Sequence, residues 1–214
     1  MTIVRPCLAR FLAIACCLTL GACTALDLAR REPPQLYALT PKSSFDAGLP
    51  QVDAQLSVEV PTATAGLNTA RIALRPTPTT LDYYAGGIWI DVVPVMVQNL
   101  LLESFDNAGY IDVLGRGAVA VGADYALLTH VREFQAEYQG SSAPVVRVRL
   151  QSRLVELPRR NSVAATSVEY LVRAENTSLA AIVRAFDEAF GKASKRLVEW
   201  GLGRLAAEQQ QPPI

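Results

Sequence analysis

Apolar and polar residues alternate along three long segments in the second half of the chain. These segments cover residues 124–137, 145–157 and 164–174, and short turn-forming stretches at 140–144 and 158–161 separate them. A period of two residues is typical of a β-strand with one buried face. Long alternating strands joined by short turns predict an antiparallel meander whose other face is in water.

The alternation in the first long segment assigns its side chains to the two faces of the predicted sheet. Successive side chains of a strand point to opposite faces. One face therefore receives the odd-numbered residues from 125 to 135, which begin with Tyr125 and Leu127. The other face receives the even-numbered residues from 128 to 134, which end with Phe134. In an unbroken strand, Phe134 and Leu127 would therefore lie on opposite faces of the sheet.

Shorter alternating segments precede the meander. Residues 56–60 predict the first core strand, because the alternation is clear and Pro61 ends it. Residues 70–74 and 111–114 predict two more core strands, and residues 36–39 predict an edge strand. These segments add several short strands to the three long ones.

Two further segments have the helical period instead. The first runs from about residue 89 to 108 and the second from about residue 178 to 207. Pro94 is tolerated in the first turn of a helix, and Gly109 supplies a stop. The apolar stripe of the first helix consists of Val93, Val97, Leu100, Leu101 and Phe105. The order of elements predicts an α+β fold, in which a mainly antiparallel sheet has two long helices packed on one face.

The N-terminus has the three parts of a secretory signal. Arg5 and Arg10 form a basic region, and residues 11–20 form an apolar run that is too short to span a bilayer. Residues 20–23 read Leu-Gly-Ala-Cys, which resembles a bacterial lipobox. In such signals the cysteine thiol receives a lipid and the chain is cut before it. We therefore predict lipidation at Cys23.

The predicted lipid anchor divides the chain into four parts. After Cys23, a charged stretch with two prolines has no apolar period, which is typical of an extended spacer. The other three cysteines leave with the signal, so we expect no disulfide in the mature chain. The predicted parts are a signal peptide at 1–22, a lipidated tether at 23–35, a folded domain at 36–207 and a disordered tail at 208–214.

The residue after Cys23 bears on the destination of the protein. In enterobacterial lipoproteins an aspartate at this position retains the protein in the inner membrane. Because Thr24 stands here, the resemblance favours the periplasmic face of the outer membrane, with acyl chains on Cys23 as the anchor. The alternative is a non-lipidated signal peptide cut after Ala22 or Ala25.

The balance of charges and the inventory of reactive side chains bear on the class of function. Without Arg5 and Arg10 the mature chain has 18 basic and 20 acidic residues, a balance that does not indicate a nucleic-acid partner. His130 is the only histidine, and no nucleophile-elbow motif accompanies it. His130, Asp124 and a serine could be combined into a catalytic triad, but no sequence motif supports that combination. We therefore expect no catalytic residue, no metal and no cofactor, and a protein that is not an enzyme.

Four residues are candidate partner contacts. Arg147, Arg149 and Arg153 share one face of a predicted strand. They form either a solvated face, with the arginine stems covering their neighbours, or a surface for an acidic partner or anionic lipid headgroups. Trp89, next to the first predicted helix, is either a core residue or a partner contact.

Several short features follow one another along the mature chain in an order that resembles a known family. They are the lipobox at Cys23, the stretches 37–41, 58–61, 71–75 and 81–84, then Trp89, residues 123–127, Phe134 and an alanine-rich final helix. This order is similar to that of the ABC-type transport auxiliary lipoproteins, which are encoded beside lipid transporters of the mammalian-cell-entry (MCE) class. Ile88 departs from the polar or basic residue expected before the tryptophan.

The resemblance implies a function without catalysis. The protein would be an auxiliary component of an MCE-type ABC system that moves lipid between the inner and outer membranes, and it would dock the transporter at the outer membrane. Its implied partners are an MCE-domain protein and the membrane, with phospholipid and a second copy of the chain as further candidates. Two rival functions stay open: an envelope-assembly or structural lipoprotein that binds another outer-membrane protein or peptidoglycan, and a lipid-anchored hydrolase.

Overall fold

The computed structural model describes residues 33–114, 122–138, 140, 143–157, 159 and 161–210. The predicted signal peptide, Cys23, Thr24, most of the predicted tether and residues 211–214 of the predicted tail lie outside the described residues. The chain divides into two compact units, Met1–Pro34 and Gln35–Ile214, and the second unit contains every element below.

The described residues form strands and helices in an order close to the predicted one. In chain order the elements are β1 Gln35–Tyr37, β2 Gln55–Val58, β3 Thr62–Ala63, β4 Arg71–Thr77, β5 Thr80–Trp89, α1 Val93–Ala108, β6 Asp112–Leu114, β7 Tyr125–Glu137, β8 Val145–Glu156, β9 Asn161–Arg173 and α2 Leu179–Gln209. The predicted α+β class is confirmed. Neither the two-residue strand β3 nor the ten-residue strand β5 was predicted.

Strand β7 is the centre of the sheet. Along one edge it pairs with β8, and β8 pairs with β9, both antiparallel, so the predicted meander is confirmed. The other edge of β7 is shared by three short parallel partners: β2 at its start, β3 in its middle and β4 at its end. Strand β6 extends the sheet beyond β2, while β5 and then β1 extend it beyond β4. The sheet therefore divides into two branches on this side of β7.

A β-bulge in β7 changes which face its side chains occupy. Val131 pairs with Leu150 and Glu133 pairs with Arg149, so Arg132 is an extra residue in β7. Before the bulge the odd-numbered side chains are buried, and after it Phe134 joins the core. The single alternation predicted for residues 125–135 is thus wrong beyond Val131, because one inserted residue reverses a period of two.

Helix α1 begins four residues later than predicted. The Trp89 backbone N–H donates to the Ala70 carbonyl at 2.7 Å, so Trp89 still belongs to β5. Val92 has extended backbone angles and is the N-cap, and Pro94 lies in the first turn. The predicted end is confirmed, because Gly109 adopts the left-handed conformation with φ +72° that a side chain would disfavour.

Helix α2 covers the apolar face of the meander. The Ser178 hydroxyl caps it by accepting a hydrogen bond from the Ala181 N–H at 3.3 Å. Its Phe186 ring packs edge-on against Trp89 and also contacts Phe134, with ring centroids 5.2 and 5.1 Å apart. Each buried aromatic ring stabilises the fold by roughly 1.5–3 kcal/mol relative to exposure. The aromatic contacts join β5, β7 and α2 into one core.

Candidate functional site

The candidate site is a groove on the sheet face that is turned away from the helices. Strand β7 contributes Leu128 and His130, strand β8 contributes Arg153, and the chain around β3 contributes Val60 and Thr62. The groove holds about 390 Å³ and is open to solvent. Two of its apolar side chains, Val60 and Leu128, are 46% and 44% exposed. The groove therefore combines exposed apolar surface with one cation, Arg153, and one carboxylate, Glu59, which accepts a hydrogen bond from the Ser57 hydroxyl at 2.8 Å.

The pairing of β3 with β7 forms one wall of the groove. Thr62 lies opposite His130, and the Thr62 hydroxyl is 2.8 Å from His130 Nδ1. Val60 directly precedes Pro61 in the connection between β2 and β3. Strand β2 pairs with the start of β7, and β3 pairs with its middle. This segment was predicted only as the end of a strand, so Val60 and Thr62 were not predicted as site residues.

His130 does not take part in a triad with Asp124. Asp124 Oδ2 accepts a hydrogen bond from the Gln55 N–H at 2.8 Å. Asp124 directly precedes β7 and lies six positions before His130, which corresponds to about 20 Å in an extended strand. The hydroxyl partner of His130 is Thr62, so the geometry supports a structural role for the imidazole.

Arg147 is neutralised by carboxylates from two other strands. It forms ion pairs with Glu137 on β7, at 3.0 Å, and with Glu169 on β9. Arg75 on β4 pairs with Glu137 at 3.6 Å and with Glu133 at 3.3 Å. We call these five residues, Arg75, Glu133, Glu137, Arg147 and Glu169, the ion-pair network.

Buried polar contacts reinforce the ion-pair network. Gln135 is fully buried, and its side-chain amide donates to Glu133 at 2.7 Å and to Glu137 at 3.0 Å. Burial alone would lower the pKa of Arg147, but hydrogen bonds and charge from Glu169 and Glu137 outweigh it, so that the pKa of Arg147 is raised. Arg147 is therefore a charged, paired residue of the sheet.

Arg149 and Arg153 have different surroundings, although they share a face with Arg147. Arg149 lies across from Glu133 and Glu169 in the sheet register, and its Nε is 3.5 Å from the Ser167 hydroxyl. Arg153 lies between Leu128 and Ala165. Within the described ranges, Arg153 forms no ion pair. Of the three predicted arginines, the structure places only Arg153 in the groove.

Trp89 does not lie on a surface. Its side chain is 1% exposed and packs between Phe134 and Phe186. The predicted partner contact at Trp89 needs an accessible indole, whereas this ring is enclosed by the core. The core alternative, which the sequence left open, describes its position.

Two further findings concern metal ligands and membrane-spanning helices in the described part of the chain. No three of its histidine, cysteine, aspartate and glutamate side chains are grouped as metal ligands would be. Neither of its helices combines the length and the hydrophobicity needed to cross a bilayer.

Comparisons with known proteins point to one family. A sequence model of the ABC-type transport auxiliary lipoprotein component matches residues 35–198. The chain is also 31% identical over 167 residues to an uncharacterised protein of Bradyrhizobium diazoefficiens. That alignment covers 74% of this chain and 44% of the relative, so the chain matches less than half the length of that protein.

Solved structures share the fold. A crystal structure of protein XCC0632 from Xanthomonas campestris superimposes with a TM-score of 0.78 at 29% sequence identity, and covers 83% of this chain and 99% of that one. A second crystal structure, of an uncharacterised protein, has a TM-score of 0.60 at 13% identity, covering 79% of this chain and 99% of that one. At that identity the second likeness concerns the fold alone.

Proposed function

The chain belongs to the family of ABC-type transport auxiliary lipoproteins, and from that premise we propose that it anchors an MCE-class lipid transporter at the outer membrane. Membership itself makes the chain an envelope-associated lipoprotein with an auxiliary role in ABC transport. The proposal adds the class of transporter, the membrane and the mode of action. That mode is docking, with no chemical step.

The observation that carries the proposal is the match to a transport auxiliary component over a domain that follows a lipobox. Acyl chains on Cys23 would hold the N-terminus in a membrane, since three chains exceed the two signals that stable anchoring requires. Thr24 in place of an aspartate supports the outer membrane as that site. The folded domain would then face the periplasm.

The groove supplies the docking surface in this proposal. Exposed Val60 and Leu128 offer apolar contacts, and beside them Arg153 offers a cation that forms no ion pair within the described ranges. Arginine is enriched at the energetic centre of protein interfaces, and apolar surface around it is buried when the partner binds. The expected counterpart on the MCE-domain protein is therefore an apolar segment with a carboxylate. The ion-pair network next to the groove would keep the surrounding sheet rigid.

A binding experiment tests this function. The binding of the acylated full-length chain to a purified MCE-domain protein would be measured. We expect Leu128→Asp combined with Arg153→Glu to weaken binding about tenfold or more, because both the apolar contact and the charge are removed. Arg204→Glu is the matched control, since Arg204 is an exposed arginine on α2.

The same experiment separates the rival function. Absence of an MCE-domain interaction, both with purified components and in crosslinked cells, would contradict the proposal. Recovery of another outer-membrane protein or of peptidoglycan fragments would favour the envelope-assembly role instead. Cys23→Ala tests the anchor separately: we expect loss of acyl labelling and of stable membrane association, and unchanged labelling would contradict lipidation at Cys23.

A further inference from the structure

A second exposed surface lies at the β1 edge of the sheet. Leu36 on β1 pairs with Ile88 on β5, and the Ile90 N–H donates to the Tyr37 carbonyl at 2.8 Å. Tyr37 packs against the core, so Leu36, Ile88 and Ile90 occupy the opposite face of the sheet. Leu36 and Ile90 are each 63% exposed, more than any other large apolar side chain of the described residues.

Polar chemistry on this surface matches the border of a bilayer. Arg71 lies across from Ile88 in the antiparallel pair and therefore shares its face. Its guanidinium stacks on the Tyr83 ring, 3.7 Å from the centroid, and the Tyr83 hydroxyl donates to the Gly66 carbonyl at 3.0 Å. Arginine attracts anionic headgroups, and tyrosine is enriched at membrane interfaces. We call Leu36, Arg71, Tyr83, Ile88 and Ile90 the β1 patch.

Two acidic residues adjoin the β1 patch in sequence, and each accepts a hydrogen bond from the next backbone N–H. Asp82 precedes Tyr83, and its carboxylate accepts from the Tyr83 N–H at 2.8 Å. Asp91 follows Ile90, and its carboxylate accepts a hydrogen bond from the Val92 N–H at 2.8 Å, at the start of α1. No carboxylate in the described ranges forms an ion pair with Arg71. The charge that Arg71 adds to the patch is therefore positive.

The chain that leads into β1 identifies what covers this patch. Strand β1 begins at Gln35, 12 residues after Cys23. An extended segment of that length reaches at most about 40 Å, so an acylated Cys23 would keep β1 at a high local concentration next to the bilayer. At such a concentration even weak apolar contacts are occupied.

We propose that the β1 patch rests on the phospholipid surface that carries the anchor, with Leu36 and Ile90 placed among the headgroups. This inference relies on the lipidation of Cys23 in the proposed function. Strand β1 lies at one edge of the sheet and β9 at the opposite edge, with β5, β4, β7 and β8 between them. The groove is centred on β7 and β8, and β7 is three strands from β1 in the sheet, so the β1 patch and the groove are separate surfaces on one sheet face.

Environment-sensitive probes at single positions test the inference. The acylated full-length chain would carry Leu36→Cys or Ile90→Cys, labelled with a fluorophore and reconstituted in phosphatidylethanolamine–phosphatidylglycerol vesicles. We expect headgroup-region quencher lipids to quench both probes about twofold or more beyond the control. The control is Leu171→Cys on β9, which replaces another exposed leucine at 49% exposure. Equal quenching at positions 36, 90 and 171 would overturn the inference.

Failure of the anchor is distinguished from failure of the inference by vesicle flotation of the same samples. Protein that does not float with the vesicles contradicts the anchor. Protein that floats, but whose probe at position 36 stays in water, contradicts the membrane-facing patch alone. A probe that is already shielded in detergent without lipid, and contacts its counterpart in another molecule, would assign the patch to a second copy of the chain and overturn the lipid surface.

Discussion

The ion-pair network and the groove lie on the same sheet face and share β7, β8 and β9, yet their arginines have different neighbours. In the network, Arg147 meets carboxylates from β7 and β9, and no cation is left over. In the groove, Arg153 meets Leu128 and Ala165. Both arginines belong to β8 and share a sheet face, but their cross-strand neighbours differ. Carboxylates from two strands reach Arg147, whereas Arg153 forms no ion pair within the described residues.

Removing a central acid should cause the largest change in the network. We expect Glu137→Ala to lower the free energy of unfolding by about 2–4 kcal/mol, because it leaves Arg147 and the buried Gln135 amide with fewer acceptors. Urea unfolding followed by circular dichroism measures this loss. Glu188→Ala is the control, since Glu188 forms an exposed pair with Lys192 and should cost no more than about 0.5 kcal/mol. Equal losses would show that the network is ordinary surface.

Replacing Arg147 and Arg153 separately with glutamine tests the comparison directly. We expect Arg147→Gln to destabilise the fold by about 1–2 kcal/mol and Arg153→Gln by no more than about 0.5 kcal/mol. The physical reason is that Glu137 and Glu169 lose a cation in the first variant, whereas no carboxylate loses one in the second. Thermal and urea unfolding of both variants provide the measurement. A larger loss for Arg153→Gln would reverse the interpretation.

High pH should lower the free energy of unfolding through Tyr84. Tyr84 donates to the Tyr138 hydroxyl at 3.1 Å, and burial, followed by this contact, raises the pKa of Tyr84 above its usual value of 10.0. The folded state therefore keeps a proton that the unfolded state loses near that value. This contribution to stability is complete below about pH 10 and is lost as the pH rises further.

A phenylalanine at this position makes the pH effect measurable. We expect the free energy of unfolding of Tyr84→Phe to fall less between pH 9 and 11 than that of the unaltered chain. Tyr110→Phe serves as the comparison variant. A decline that is equally steep in Tyr84→Phe would show that other groups cause the alkaline loss.

Salt concentration should have the smallest effect, and the property we expect it to change is the affinity of the groove for its partner. We expect the affinity for the MCE-domain protein to fall about two- to threefold between 0.05 and 0.5 M salt, because the exposed charge of Arg153 is screened. Arg153→Gln should remove most of this dependence, while Arg204→Glu should not. A salt dependence that is unchanged in Arg153→Gln would exclude Arg153 from the contact.

Local patterns predicted the elements well. The three long strands, the end of α1 at Gly109 and the start of α2 at Ser178 follow from periods and caps that span only a few residues. Pairings between distant segments were not predictable in this way. Strand β3 is two residues long and its parallel contact with β7 joins residues 68 positions apart, so no local pattern indicates it.

The candidate site could be predicted only in part. Alternation placed Arg147, Arg149 and Arg153 on one sheet face, and the structure confirms that placement. The apolar members of the groove were missed, because Val60 resembles an ordinary strand end and Leu128 an ordinary strand residue. Their exposure depends on how β2 and β3 divide beside β7, which is a property of the sheet.

By itself the sequence predicted the fold class, the strand that carries the arginines and a lipobox-like segment before Cys23, because each depends on neighbouring residues. Tertiary structure decided that Trp89 is buried, that Arg132 forms a bulge and that Arg147 is paired while Arg153 is free of ion pairs within the described ranges. Each of these depends on side chains that other strands bring into contact. Periodicity defines which face a residue occupies, whereas the surrounding strands determine what it meets there.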